Sequence, residues 1–138
     1  YYIHPAAPPW YAINYGFEAI LNTPGNTAAL GRFDELVGLP IFDSLYSRNS
    51  NVFAAIPSLH AAYMVVAFYY ALVKKCHPAI ITICGIWFTA VYSSHHYIID
   101  VLLGITCALL GILFFEKGLM KIPGFIKFFN RYQHYIEA

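Results

Sequence analysis

PSLHAAYMVVAFYYALVKKCHPAIITICGIWFTAVYSSHHYIIDVLLGITCALLGILFF, residues 57–115, is the stretch that decides the fold. From Asn49 to Phe115 the only charged side chains are Lys74, Lys75 and Asp100, which cut the run into three apolar segments. The first is Ser58–Val73, opened by Pro57, a residue at home in the first turn of a helix. The second runs from Pro78 to about His96 and the third from Tyr97 to Phe115. At 1.5 Å per residue they measure roughly 24, 28 and 28 Å, close to the ~30 Å hydrocarbon core of a bilayer. None alternates with period two, so helices are expected rather than strands. The fold class that follows is all-α: a multi-pass transmembrane bundle with three membrane helices and an interfacial N-terminal loop region. A buried hairpin of a soluble protein is the competing reading, and so long a run with so little charge opposes it.

Composition points the same way. Of the 138 residues, 59% are hydrophobic and 11% charged, against about 25% charged in an ordinary soluble domain. The net charge is +1, and no basic stripe exists outside the C-terminal tail, so nucleic acid is excluded as a partner. Cys76, Cys84 and Cys107 are scattered, without the paired spacing of a disulfide or metal site. Cys84 and Cys107 lie in apolar runs, where a thiol serves as a small hydrophobe. The chain opens on Tyr1-Tyr2-Ile3, already aromatic and apolar, and is expected to be an N-terminally truncated piece of a longer protein.

Outward from the apolar run, both flanks change character, within what reads as one domain over residues 1–138. In residues 1–56, Pro5-Ala6-Ala7-Pro8-Pro9-Trp10-Tyr11 combines helix-stopping Pro with rings that favour the headgroup level. Thr23-Pro24-Gly25-Asn26 reads as a turn, and Arg32, Asp34 and Glu35 are polar. An interfacial loop with short helices is expected there. Residues 116–138 are basic, with Lys117, Lys121, Lys127 and Arg131 interleaved with Phe125, Phe128 and Phe129. Two readings stay open for this tail: an amphipathic segment on the membrane surface, or a solvated, partly disordered end.

Charge also orients the bundle. Lys74 and Lys75 follow the first segment, and Lys117 and Lys121 follow the third. Three successive spans put both places on one side, which the positive-inside rule makes cytoplasmic. His60 begins the first segment, His96 ends the second and Asp100 opens the third, so these three gather on the extracytoplasmic face. Polar groups at the ends of apolar spans cost free energy unless partnered. His96 and Asp100 are four residues apart, one helical face. A carboxylate there accepts a proton from one ring nitrogen and leaves the other basic, as a nucleophile or base requires. His95 points elsewhere, either supporting the site or facing the loop. His4, His77 and His134 lie at segment edges or in the tail and are not site candidates. A satisfied polar pair at a helix end remains an alternative, as does a haem held by two His, which would leave Ser58 without a role. No acidic cluster accompanies the imidazoles, so neither metal nor other cofactor is expected.

Ile56-Pro57-Ser58-Leu59-His60 and Ser94-His95-His96-Tyr97-Ile98-Ile99-Asp100 resemble the two C-terminal signatures of the type 2 phosphatidic acid phosphatase superfamily. These are Pro-Ser-x-His, and a His followed four residues later by Asp. Ala7-Pro8-Pro9-Trp10-Tyr11, the Pro24-Gly25 turn, Gly31-Arg32-Phe33-Asp34 and Phe53-Ala54-Ala55-Ile56 narrow the resemblance to the inositol phosphorylceramide synthases, over about Pro5 to Gly104. The superfamily's first signature, a Lys and a later Arg-Pro, is not present. Thr89-Ala90 stands where the family has a Ser-Arg pair before the second His.

The resemblance implies a membrane phosphotransferase. His96 would attack phosphorus, Asp100 would orient it, and His60 would protonate the departing alkoxide and then deprotonate the acceptor. Ser58 would add a hydrogen bond. With the family's basic residues missing, Arg32 is the first choice to hold the phosphate and Arg48 the second, since guanidinium forks match phosphate oxygens. The partners implied are a phospholipid donor, phosphatidylinositol, and a ceramide-type acceptor. A lipid phosphate phosphatase using water, and a non-enzymatic membrane or haem-binding module, are the alternatives.

Overall fold

The computed structural model describes residues 5–48, 52–73, 75 and 78–137. His4, Lys74, Cys76 and His77 lie outside the described residues. Helices dominate: α1 (Pro9–Tyr15), α2 (Gly31–Val37), α3 (Ile41–Tyr46), α4 (Leu59–Val73), α5 (Pro78–Tyr92), α6 (Ile98–Lys117) and α7 (Pro123–Glu137), with short 3₁₀ turns at Ala28–Leu30 and Leu119–Lys121. Among the described residues the one extended pairing is a parallel bridge between Ala6 and Ala54.

The three apolar segments become α4, α5 and α6. The second ends earlier than expected, at Tyr92 rather than about His96. Short polar side chains compete with the helical backbone, and at Ser93-Ser94 the chain turns, with Ser94 in the left-handed region at φ 61°. The third runs past its expected end, to Lys117. Together with the following turn it forms a largely apolar stretch of 24 residues, Ile98–Lys121, whose most apolar window is 22% buried. A core helix of a soluble protein would be mostly covered; this one faces outward. It is the one helix among the described residues long and apolar enough to cross a membrane, while α4 and α5 are apolar but shorter, at 15 residues each.

Helix α4 is central, packing on α6 most extensively and on α5 next. Ser58 N–H donates to the Asp100 carbonyl at 3.0 Å, and toward the other end the Tyr69 hydroxyl meets Glu116 Oε1. Thus α4 and α6 run parallel, with matching ends side by side. Gly104 permits this approach: a Cβ there would collide with the Ser58 carbonyl oxygen and press on Ala61 Cβ.

Residues 5–48 and 52–56 form a layer over the end of the bundle that holds the Ser93–Tyr97 turn. Trp10, Tyr11 and Val52 make its small core. The Tyr11 hydroxyl donates to the Glu18 carbonyl and accepts from Ile20 N–H, both at 2.8 Å, pinning the loop after α1. Asp34 on α2 receives the N–H groups of the second and third residues of α3, Phe42 at 3.0 Å and Asp43 at 2.8 Å. Backbone bonds sew this layer to the bundle: Trp10 N–H donates to Ser94 O at 3.0 Å and Ala29 N–H to Ser93 O at 3.4 Å. Of the two readings of the tail, the structure has a helix, α7, whose Phe125 and Phe129 rings pack on Phe115 at the end of α6.

Candidate active site

Two local structures build the site. The first is the N-terminus of α4. Ser58 is fully buried and its hydroxyl oxygen accepts Ala61 N–H at 3.3 Å, the N-cap arrangement for which Ser is preferred. Capping fixes the first turn and with it His60, whose side chain is exposed at this positive end of the helix. The second is the turn from α5 into α6. His96 N–H donates back to the Ala90 carbonyl at 3.0 Å, and Tyr97 N–H donates to Asp100 Oδ2 at 2.8 Å, capping α6.

These turns bring His60 and His96 into contact, with His60 Nδ1 3.2 Å from His96 Nε2 and ring centroids 5.4 Å apart. The other nitrogen of His96, Nδ1, lies 3.1 Å from the Ala55 carbonyl oxygen. A carbonyl only accepts, so Nδ1 carries the proton. In neutral His96 the Nε2 is then bare and must accept, which makes His60 Nδ1–H the donor. The sequence reading gave the orienting hydrogen bond to Asp100. The carboxylate Oδ2 is instead 3.7 Å from His96 Nδ1, ion-pair range, and Ala55 is the nearer partner. Asp100 is wholly buried, and its Oδ1 has no hydrogen-bond partner among the described residues.

Burial, and after it the neighbouring His60, pushes His96 from its usual 6.5 down to about 4, against the opposing pull of the Ala55 carbonyl. The imidazole is therefore neutral at pH 7, the form in which Nε2 has its lone pair. His95 is pushed to about 4 as well, mainly by burial. Its ring bridges Ser93 Oγ, at 2.9 Å from Nδ1, and the Asn26 carbonyl, at 3.2 Å from Nε2, and it lies against the Tyr46 ring at 4.4 Å. His95 thus ties the α5–α6 turn to the Pro24–Asn26 turn of the overlying layer.

Two cavities meet at the imidazoles and share Tyr46, His60, His95 and His96. One, about 180 Å³, lies under the N-terminal layer against Trp10, Asn26 and Ala55. The other, about 260 Å³, follows α5 past Thr89, Ile86, Gly85 and Thr82. Of the residues marked by the sequence, His60, His96, Asp100 and Ser58 come together. Arg32, on α2, and Arg48, after α3, are exposed and line neither cavity. The sequence reading did not find the Ala55 carbonyl, Asn26 or Tyr46. A backbone carbonyl leaves no mark in a sequence; Asn26 was visible only as a turn residue and Tyr46 as one more ring in an aromatic loop.

The PAP2 superfamily model matches residues 1–114. The phosphoinositol dihydroceramide synthase of Bacteroides thetaiotaomicron is 71% identical over 142 residues, covering 99% of this chain and 47% of that protein. The inositol phosphorylceramide synthase catalytic subunit AUR1 of Saccharomyces cerevisiae is 37% identical over 106 residues, 74% of this chain and 26% of its own length. The inositol phosphorylceramide synthase of Candida albicans is 35% identical over 116 residues, 81% of this chain and 24% of its own. The chain thus spans about half the length of the bacterial relative and about a quarter of the fungal ones. No solved structure matches.

Proposed function

The chain belongs to the PAP2 superfamily, and from that premise we propose that it carries the active site of a membrane phosphotransferase. It moves phosphoinositol from a phospholipid to a ceramide-type acceptor through a phosphohistidine. The observation that supports this reading is the relay from the Ala55 carbonyl through His96 to His60, which leaves one bare nitrogen facing one proton donor. In the first step His96 Nε2 forms a bond to phosphorus as the P–O bond to the glyceride breaks. The leaving oxygen takes the electron pair and a proton from His60. Asp100 stabilises the imidazolium that results. In the second step the acceptor hydroxyl gives its proton to His60, its oxygen bonds to phosphorus, and the P–N bond breaks. Phosphorus enters where the two rings now touch, so His60, exposed on the first turn of α4, swings aside. Ser58 acts by holding that turn, with its hydroxyl oxygen on Ala61 N–H. Charge on the phosphate is offset by Arg32, with Arg48 second, both exposed in the overlying layer.

The bundle spans the membrane three times, with the site on the extracytoplasmic face. At 15 residues, α4 and α5 rise roughly 22 Å each, a shortfall that local thinning and tilting of their neighbours accommodate. Lys75, Lys117 and Lys121 then lie on the cytoplasmic side, where α7 rests along the headgroups.

The test is transfer of labelled phosphoinositol from phosphatidylinositol to dihydroceramide by the membrane-embedded protein. Wild type should form the labelled sphingolipid and His96→Ala should not, while inserting normally. Phosphate release from phosphatidate without any transfer would replace this reading by the phosphatase.

A further inference from the structure

The two cavities at the imidazoles differ in what surrounds them. The one under the N-terminal layer is walled by loops and bounded by the Asn26 turn. The other is a groove along one face of α5, where Thr82, Gly85, Ile86, Thr89, Ala90 and Ser93 recur at helical spacing. From Ser93 to Thr82 that face extends roughly 16 Å, about the depth of one leaflet of a ~30 Å core. Thr89 spends its hydroxyl proton on the Gly85 carbonyl at 2.8 Å, so it adds no free donor to the groove. Gly85 forms the floor: a Cβ built there has nothing within 4 Å. The upper end opens on His60 and His96 themselves.

Resting on the phosphotransferase reading, we propose that this groove is a lipid-chain subsite used in turn by both lipids, first by the departing glyceride and then by the sphingoid acceptor. The chemistry requires a shared place. Attack by His96 Nε2 and departure of the leaving oxygen are in line across phosphorus. When the P–N bond later breaks, the acceptor oxygen must approach from the side the first oxygen left, where His60 exchanges the proton. Both lipid oxygens therefore occupy one apical position, and their chains extend from it the same way. The phosphoinositol stays bound to His96 throughout and takes the cavity under the layer.

The test is Gly85→Leu, which places an isobutyl group over the groove floor and improves helix propensity. Two half-reactions are followed in the membrane-embedded protein. One is phosphoenzyme formation from dipalmitoyl against dihexanoyl phosphatidylinositol. The other is discharge of the phosphoenzyme to a long-chain against a hexyl-chain dihydroceramide. In Gly85→Leu the long-to-short ratio of kcat/KM should fall about tenfold in both, the burial of roughly two methylenes. Cys84→Leu, which adds similar bulk one residue away on an exposed position outside the groove, should leave both ratios unmoved. An unchanged ratio in Gly85→Leu overturns the proposal. So does a fall in one half-reaction alone, since the groove would not be shared. A uniform loss for all chain lengths with reduced protein yield would mean that another helix covers the face, and would equally overturn it. If wild type hydrolyses phosphatidate instead of transferring, the phosphotransferase reading fails; the chain-length ratio on that reaction still reports whether the groove holds the lipid.

Discussion

Replacing Asp100 by Asn separates two jobs that a carboxylate beside a histidine is usually given together. The Ala55 carbonyl, 3.1 Å from His96 Nδ1, already fixes the tautomer, so Asp100→Asn should leave Nε2 bare. What the substitution removes is a negative charge 3.7 Å from Nδ1, at a position wholly shielded from water. At an effective dielectric constant of about 20, a full positive charge on the ring would be attracted by about 4 kcal/mol. With half the charge developed in the transition state the attraction is about 2 kcal/mol. Phosphohistidine formation should then slow by roughly thirtyfold, and by up to about a thousandfold for a late transition state. Asn keeps an oxygen for Tyr97 N–H, so the cap of α6 survives. Asp100→Ala loses cap and charge, costing about another 1 kcal/mol of stability. The assay is the rate of phosphoenzyme formation at pH 7 in detergent, paired with a thermal midpoint for each variant. If Asp100→Asn stays within about threefold of wild type while Asp100→Ala loses stability, the carboxylate is only a helix cap and the electrostatic role is refuted.

His96→Ala should abolish labelling by a phosphoryl donor, whereas His95→Ala, which loses the links to Ser93 and Asn26 and the contact with the Tyr46 ring but leaves His96 and His60 in place, should retain measurable transfer; a dead His95 variant beside an active His96 variant would reverse the assignment. Because burial and His60 hold His96 near 4, its protonation should not limit the rate between pH 5 and 7, and a pH–rate profile whose acid limb belongs to His96 and falls near pH 6.5 would contradict that. The same depression makes the folded state bind fewer protons than the unfolded state between 6.5 and about 4. Stability is therefore full above that window and lost progressively as pH falls through it, which thermal unfolding at stepped pH will show. Gly104→Ala drives a methyl into the Ser58 carbonyl and should cost about 1–3 kcal/mol in thermal stability; a midpoint equal to wild type would show that α4 and α6 do not pack this closely.

Much of the bundle could be read from charge and length alone. Ser58–Val73 became α4 with a one-residue shift, and the place of Asp100 at the start of the third segment followed from its being the sole acid there. The gathering of His60, His96 and Asp100 at one end followed from three antiparallel passes, with no need for side-chain detail. The early end of α5 was less legible, because Ser93-Ser94-His95-His96 carries no Gly or Pro to mark the break. The turn is fixed instead by tertiary bonds from Trp10 and Ala29 to its carbonyls. Arg32 and Arg48 were chosen by side-chain type, which says nothing of where a loop layer will place them.

The deepest gap between sequence and site is the acceptor for His96 Nδ1. The sequence offered a carboxylate four residues away; the structure uses the Ala55 carbonyl, itself held because Ala55 N–H donates to Ala6 O and Ala6 N–H to Phe53 O. This substitution has a chemical consequence. A carboxylate as sole partner changes its grip when it is protonated, and the tautomer of the histidine can change with it. A carbonyl cannot donate under any condition, so the proton stays on Nδ1 and the lone pair on Nε2. Asp100 is then released from orienting the ring, and on the proposed mechanism its charge would respond wholly to the imidazolium as it forms. The unremarkable Ala6 and Ala55, joined by backbone bonds alone, hold His96 as closely as the acid that stands out in the sequence, and on the proposed mechanism they would serve the nucleophile as much as it does.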